Sequence, residues 1–111
     1  GAGSTGWLSS VFNMAAAIAS MSGGKAGNPV RLAWEDPRLF FVVREPFVSR
    51  HSKAGVVAGM IEPGDGLVVE STMPSGGVIF SDGVEADALS FNSGATATIA
   101  AAPRKAKLVV G

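Results

Sequence analysis

The residues best suited to bind a ligand stand together in Gly1-Ala2-Gly3-Ser4-Thr5-Gly6-Trp7. Three glycines and two hydroxyl side chains precede an apolar segment with helical spacing. Such a turn offers free backbone N–H groups and hydroxyls to an anionic or polar ligand. A structural role accounts for it equally well, because Ser4 or Thr5 would cap the following helix by accepting a hydrogen bond from an orphan N–H group. The residue types alone leave both interpretations open.

The turn differs from two familiar phosphate-binding loops. A Walker loop places lysine after its last glycine, where this sequence has Trp7. The dinucleotide fingerprint requires a preceding strand and a different glycine spacing. If the turn binds a ligand, it therefore does so as a loop of another kind.

A second polar cluster is Arg50-His51-Ser52-Lys53. A solvated loop is the default interpretation, but basic side chains that converge on a phosphate have the same composition. Arg50 and Lys53 are therefore candidates for phosphate contacts. His51 is expected at the surface or in a hydrogen bond rather than as a general base.

The remaining polar features predict no catalytic residue. Arg44-Glu45-Pro46 ends an apolar segment and is expected to form a structural ion pair or a solvated loop edge. Asp82-Gly83 is typical of a turn. No serine stands in a nucleophile-elbow pattern. A single histidine and the absence of cysteine exclude a zinc site and a disulfide framework.

The composition of the 111 residues, 47% hydrophobic and 16% charged, predicts a substantial core and some surface covered by another chain or domain. Nine basic and nine acidic residues cancel, which argues against a nucleic-acid partner. The apolar run 11–21 is shorter than the roughly 20 residues of a membrane-spanning helix. It also lacks the basic flank of a signal peptide. We expect no membrane association and a cytoplasmic location.

Apolar spacing of three and four residues predicts a helix over residues 5–21, ended by Ser22-Gly23-Gly24. A short extended piece is expected at 32–34. The apolar segment 39–44 predicts a central strand. The turn 62–66 separates two further strands, and 74–77 predicts a hairpin between strands. The remaining sequence is mostly extended, so the fold class is α+β, mostly β, with one helix followed by six or seven strands. The predicted later strands are 56–61, 67–73, 78–81, 85–89, 95–101 and 105–110.

Gly3-Ser4-Thr5-Gly6-Trp7, with Ser10 three residues on, resembles the "GST(A/G)-aromatic" motif of the NAD kinases and their relatives. Later segments resemble the same family in the same order along the chain. They are residues 39–46, 62–71, 80–83 and 89–99.

The resemblance implies that residues 1–111 are the C-terminal, β-rich, sandwich-like domain of an NAD kinase-like enzyme. In that family a preceding α/β domain carries a "GGDG" motif with the aspartate associated with catalysis. Here Ser22-Gly23-Gly24 and Ser75-Gly76-Gly77 do not continue as GGDG. We therefore expect the chain to be one part of a longer protein and to contain no catalytic residue.

Carried over by position, the resemblance assigns substrate contacts to Ser4, Thr5, Gly6, Trp7 and Ser10. The family commonly has tyrosine where this chain has Trp7, so an aromatic face for stacking is kept and the phenol hydroxyl is lost. The stretch 44–53 departs from the usual "P-I-x-P-H" run of the family. This departure suits a divergent branch with a different phosphate acceptor.

The function implied is transfer of a phosphoryl group from ATP or polyphosphate, with Mg on the donor phosphates, to NAD or a related nucleotide. The implied partners are the nucleotide, the missing N-terminal domain and further copies in a homo-oligomer. The chain alone is expected to be inactive. Two alternatives stay open: a non-catalytic ligand-binding or oligomerisation module, and a kinase of the same superfamily that acts on a sugar or lipid hydroxyl.

Overall fold

A computed structural model of the chain describes residues 6–51, 54–81, 84–107 and 109–110, and at Val84 and Glu85 the backbone alone. These residues form one helix and six short strands, which confirms the α+β, mostly β, fold class. The elements are α1 (Trp7–Met21), β1 (Leu39–Val42), β2 (Ala58–Ile61), β3 (Leu67–Glu70), β4 (Val78–Ser81), β5 (Val84–Ser90) and β6 (Thr96–Ile99).

The chain divides between Met60 and Ile61 into two compact units. In the first unit, α1 buries Leu8, which is 3% exposed. One turn later, Phe12 packs against Phe40 of β1 with ring centroids 6.0 Å apart and planes tilted by 53°. Residues four apart lie on one helix face, so this spacing aims both side chains the same way.

The helix ends as the sequence predicts. Ser22 donates its hydroxyl to the carbonyl oxygen of Ile18 at 2.8 Å, and Gly24 donates its N–H to Ala19 at 2.8 Å. Between them, Gly23 has a φ of 79°, a left-handed conformation that favours glycine. At the other end Gly6 occupies the N-cap position. The predicted caps, Ser4 and Thr5, lie outside the described residues.

Strand β1 pairs with β2, and the pairing continues in a hydrogen bond from the N–H of Val43 to the carbonyl of Val57 at 2.6 Å. All four β1 residues are half-buried. The predicted central position of β1 is wrong, because within the described residues β2 is its one partner. The predicted extended piece at 32–34 is also wrong, since a turn closes there with the N–H of Asp36 on the carbonyl of Ala33.

In the second unit, β3 pairs antiparallel with β6, and β4 pairs antiparallel with β5. Leu67 faces Ile99 in the first pair, and Val78 faces Ser90 in the second. The hairpin predicted across 74–77 is therefore wrong, because its two flanking strands each pair with a later strand. The predicted strand 105–110 is wrong for 105–107 and 109–110, which belong to no strand. The predicted turn at Asp82-Gly83 lies outside the described residues.

Hydrogen bonds join the β3–β4 connection to the segment that follows β5. Ser71, 5% exposed, donates its hydroxyl to the carbonyl of Phe91 at 2.7 Å. Gly77 donates its N–H to Oδ1 of Asn92 at 2.9 Å and accepts from the N–H of Phe91 at 2.7 Å. These bonds satisfy backbone groups that a β3–β4 hairpin would otherwise have used.

The predicted substantial core is not formed by the described residues. Leu8 and Ile61 are their only fully buried large apolar side chains. Apolar residues on strands are instead exposed, among them Val68 at 63%, Phe80 at 51% and Leu89 at 65%. The sequence shows which residues are apolar, but its polarity pattern did not predict how few of them would be buried.

Candidate binding pocket

A pocket of about 280 Å³ opens in the first unit between one face of α1 and the end of β1. Its helix wall consists of residues at spacings of four and three, which place them on one side of the helix. Its other wall is the segment that leaves β1. The lining residues are Trp7, Val11, Met14, Val42, Val43, Arg44, Glu45 and Pro46.

Trp7 is the aromatic wall of this pocket. It is the first residue of α1 and 53% exposed, so the indole is accessible from the pocket. Below it, Val11 and Met14 provide apolar surface. An exposed indole beside an apolar floor is a surface on which a planar ring stacks.

Arg44 and Glu45 form the charged part of the pocket. Both side chains are exposed, and within the described residues they make no salt bridge with each other. Of the two alternatives expected for them, the structural ion pair is not found, and the exposure of both residues fits a solvated loop edge. Arg44 and Glu45 therefore give the described lining of the pocket one cationic and one anionic side chain, each accessible to a ligand.

The backbone at Glu45 is strained. Its φ is 53°, in the left-handed region that residues other than glycine rarely adopt. It also precedes Pro46, and a residue before proline prefers an extended backbone. Strain of this kind tends to occur at ligand-binding and catalytic positions.

Among the predicted substrate contacts, the structure places Trp7 in the lining of the pocket and leaves Gly6 and Ser10 outside it. Ser10 donates its hydroxyl to the carbonyl of Trp7 at 2.6 Å, which holds that side chain against the first helical turn. Gly6 precedes the helix, and its carbonyl accepts the N–H of Ser10 at 3.1 Å. Ser4, Thr5 and Lys53 lie outside the described residues.

Arg50, the other predicted phosphate contact, is exposed and does not line the pocket. Its neighbour His51 is exposed as well and donates its backbone N–H to Oγ of Ser49 at 3.2 Å. The cation that lines the pocket is Arg44 instead. Sequence reasoning missed it because an Arg-Glu pair after a strand resembles a solvated loop edge. The α1 spacing of Trp7, Val11 and Met14 was the available indication of a shared face.

A tight ion pair outside the pocket fixes the segment before β1. Arg38 donates from Nε to Oδ1 of Asp36 at 3.0 Å and from Nη2 to Oδ2 at 2.8 Å. The backbone N–H of Arg38 also donates to Oδ1 at 3.0 Å. These hydrogen bonds lower the pKa of Asp36 to about 2, and those from the side chain of Arg38 contribute more than the one from its backbone. The pair is structural, since it closes the turn ahead of β1.

A second, open pocket of about 310 Å³ lies in the second unit. The described residues that line it are all apolar: Val69, Val78, Ile79, Phe80, Phe91, Ala97 and Ile99. Because none of these residues can orient a polar ligand, the first pocket is the candidate binding site.

The parts of the chain that the structure describes contain no group of three or more His, Cys, Asp or Glu side chains placed to hold a metal ion. The Mg implied by the resemblance belongs with the donor phosphates, and these residues offer no ligand set for it. No helix in the same parts is both long and apolar enough to cross a membrane.

Comparison with known proteins yields no match to any protein-family model, curated protein or solved structure. The motif around Trp7 and the pocket that this residue lines are therefore the features of the chain that point to a function.

Proposed function

We propose that this chain is the acceptor-nucleotide-binding part of an NAD kinase-like phosphotransferase that uses ATP or polyphosphate with Mg. The observation that carries the proposal is the position of Trp7. This residue completes the motif that resembles the NAD kinases, and it forms the aromatic wall of a pocket of about 280 Å³. A motif position and a suitable binding surface coincide in one side chain.

The pocket suits the ring of a nucleotide. A nicotinamide or adenine ring stacks on the exposed indole, while Val11 and Met14 cover its edge. Stacking on an aromatic side chain contributes about 1–3 kcal/mol per base. This interaction tolerates tryptophan in place of the tyrosine of the family, because it uses the ring face rather than a hydroxyl.

In phosphoryl transfer, catalysis comes mostly from positioning the reactants and from stabilising the developing charge. This chain's contribution under the proposal is positioning: it holds the acceptor nucleotide in a fixed orientation. The resemblance assigns the catalytic aspartate and the donor site to a preceding domain. The 111-residue chain should therefore bind the acceptor without phosphorylating it.

Calorimetric titration of the purified chain with NAD and with ATP tests the proposal. We expect saturable binding of NAD and a loss of that binding in Thr5→Val, whose side chain keeps its shape but lacks the hydroxyl. Incubation with NAD and ATP or polyphosphate should give no phosphorylated product. Turnover by the chain alone would contradict the assignment of catalysis to a preceding domain.

The second unit supports a different candidate function, which is self-association. Apolar residues of its strands are exposed, including Val78 at 52% and Ile79 at 39%, and they line the second pocket. Exposed apolar patches commonly mark surfaces where proteins associate. A dimer or larger species in light scattering, together with no heat of NAD or ATP binding, would favour this assembly role over nucleotide binding.

A further inference from the structure

The charged pair of the first pocket takes no part in the ring stacking proposed for Trp7. Arg44 and Glu45 are exposed, line the same pocket as Trp7 and do not neutralise each other by a salt bridge within the described residues. We infer that they recognise the sugar-phosphate part of a ribonucleotide, with Arg44 on a phosphate and Glu45 on the ribose hydroxyls. The inference rests on the proposed function only for the ring that stacks on Trp7.

Arg44 is suited to the phosphate by its chemistry. A guanidinium keeps its charge at all physiological pH values and donates two parallel hydrogen bonds to phosphate oxygens. Among the described residues that line the pocket, it is the only cation. Of the two cations that the sequence suggested, Arg50 lies outside that lining, and Lys53 is not among the described residues.

Glu45 restricts which ligands fit. A carboxylate only accepts hydrogen bonds, and it repels a phosphate placed beside it. The ligand must therefore bring hydroxyl or N–H donors to Glu45 and an anion to Arg44. A ribonucleoside 5′-phosphate has this combination, because its 2′ and 3′ hydroxyls are donors and its phosphate is anionic.

Two further observations support this assignment. The positive φ of Glu45 costs conformational energy, which is typical of residues held in place for ligand contact. The volume of about 280 Å³ is at the lower end of ligand pockets. It accommodates one nucleotide unit, so one half of a dinucleotide would occupy it.

Fluorescence of Trp7 tests the inference directly. The chain has two tryptophans, and Trp34→Phe leaves Trp7 as the only indole. Trp34 is 66% exposed and does not line the pocket. This variant is titrated with adenosine, adenosine 5′-monophosphate, 2′,3′-dideoxyadenosine 5′-monophosphate and NAD.

We expect saturable quenching of Trp7 by adenosine 5′-monophosphate. Arg44→Gln should raise its Kd about tenfold or more, as for loss of a charge-assisted hydrogen bond, and leave the Kd for adenosine unchanged. Glu45→Gln should weaken the preference for the ribose over the dideoxyribose compound, because the amide keeps one acceptor oxygen but loses the charge. The exposed residues Arg31 and Glu35 provide matched controls, and Arg31→Gln and Glu35→Gln should change neither Kd.

The outcomes separate this inference from the proposed function. Circular dichroism first confirms that each variant retains the wild-type spectrum, and Arg44→Lys should restore part of the phosphate affinity. If NAD quenches Trp7 and Arg44→Gln leaves the Kd for NAD unchanged, the inference is overturned and the proposed function stands. If the chain bound adenosine 5′-monophosphate through Arg44 but did not bind NAD, the proposed function would be overturned and the inference would stand. Absence of quenching by all four compounds would overturn both.

Discussion

At the scale of single residues, Glu45 carries the clearest conformational cost. A left-handed backbone costs a residue with a Cβ about 1–2 kcal/mol, and proline at the next position adds to this cost. A local sequence pattern does not predict this conformation, since Arg-Glu-Pro in an unpaired loop would be extended.

We predict that Glu45→Gly leaves the free energy of unfolding unchanged or raises it by about 1 kcal/mol, because glycine adopts a positive φ without steric cost. Urea unfolding followed by circular dichroism measures this. Glu35→Gly is the control: Glu35 is exposed and has no positive φ, so glycine there should cost about 0.5–1 kcal/mol. Equal destabilisation by both changes would show that Glu45 is not strained.

Asp36 gives a prediction about pH. Its pKa is about 2 in the folded chain against an ordinary value of 3.8, so folding favours the charged carboxylate. The resulting stabilisation is complete above pH 3.8 and disappears as the pH falls from 3.8 towards 2. Asp36→Asn should therefore lower the Tm at pH 7, and this difference from wild type should shrink as the pH falls through that interval.

Thermal melts between pH 7 and pH 2 measure the effect. Asp65→Asn serves as the comparison because Asp65 is exposed and has no salt bridge within the described residues. Its substitution should change the Tm less at every pH. A Tm deficit of Asp36→Asn that stays constant down to pH 2 would contradict the role of the Arg38 contact.

At the scale of elements, the sequence predicted which segments form a helix, strands and turns better than it predicted which strands pair. Helix α1 follows from its apolar period, and its end follows from Gly23, because both depend on nearby residues. The turn before β3 also depends on nearby residues. Asp65 donates its N–H to the carbonyl oxygen of Glu62 at 3.0 Å, and Gly64 has a φ of 86°. Pairing of β3 with β6 depends on distant contacts, such as the hydrogen bond from the N–H of Ser71 to the carbonyl of Ala95, which no local pattern predicts.

The β3–β4 connection depends on Gly77, which is buried. A Cβ there would overlap the carbonyl oxygen of Phe91, a backbone atom that cannot rotate away. We predict that Gly77→Ala lowers the free energy of unfolding by about 2 kcal/mol or more. Urea unfolding with protection of the Phe91 amide from hydrogen exchange would measure the loss and locate it.

Gly27→Ala is the matched control for that change. Nothing lies within 4 Å of the position a Cβ would take at Gly27, and its φ is not in the left-handed range. Alanine there should be neutral or stabilise by up to about 1 kcal/mol, because it restricts the unfolded chain. If Gly77→Ala were equally harmless, the close approach to Phe91 would not constrain this connection.

At the scale of the whole molecule, composition predicted apolar surface in need of cover but not where it lies. The sequence predicted one part of the binding pocket, Trp7, but not the segment that faces it. The motif identified Trp7, whereas its contact wall at 42–46 is more than thirty residues away in sequence. Phe12 of α1 packs on Phe40 of β1 across that separation in sequence. Such packing follows from tertiary structure and not from residue spacing.

The proposal that Trp7 holds the acceptor nucleotide is tested most directly by one comparison. Calorimetric titration with NAD is carried out on wild type, Trp7→Ala and Trp34→Ala, which remove exposed indoles inside and outside the pocket. Loss of a stacking contact should raise the Kd of Trp7→Ala by about fivefold to 150-fold, while Trp34→Ala binds as wild type does. Equal NAD affinity in all three proteins would contradict the account.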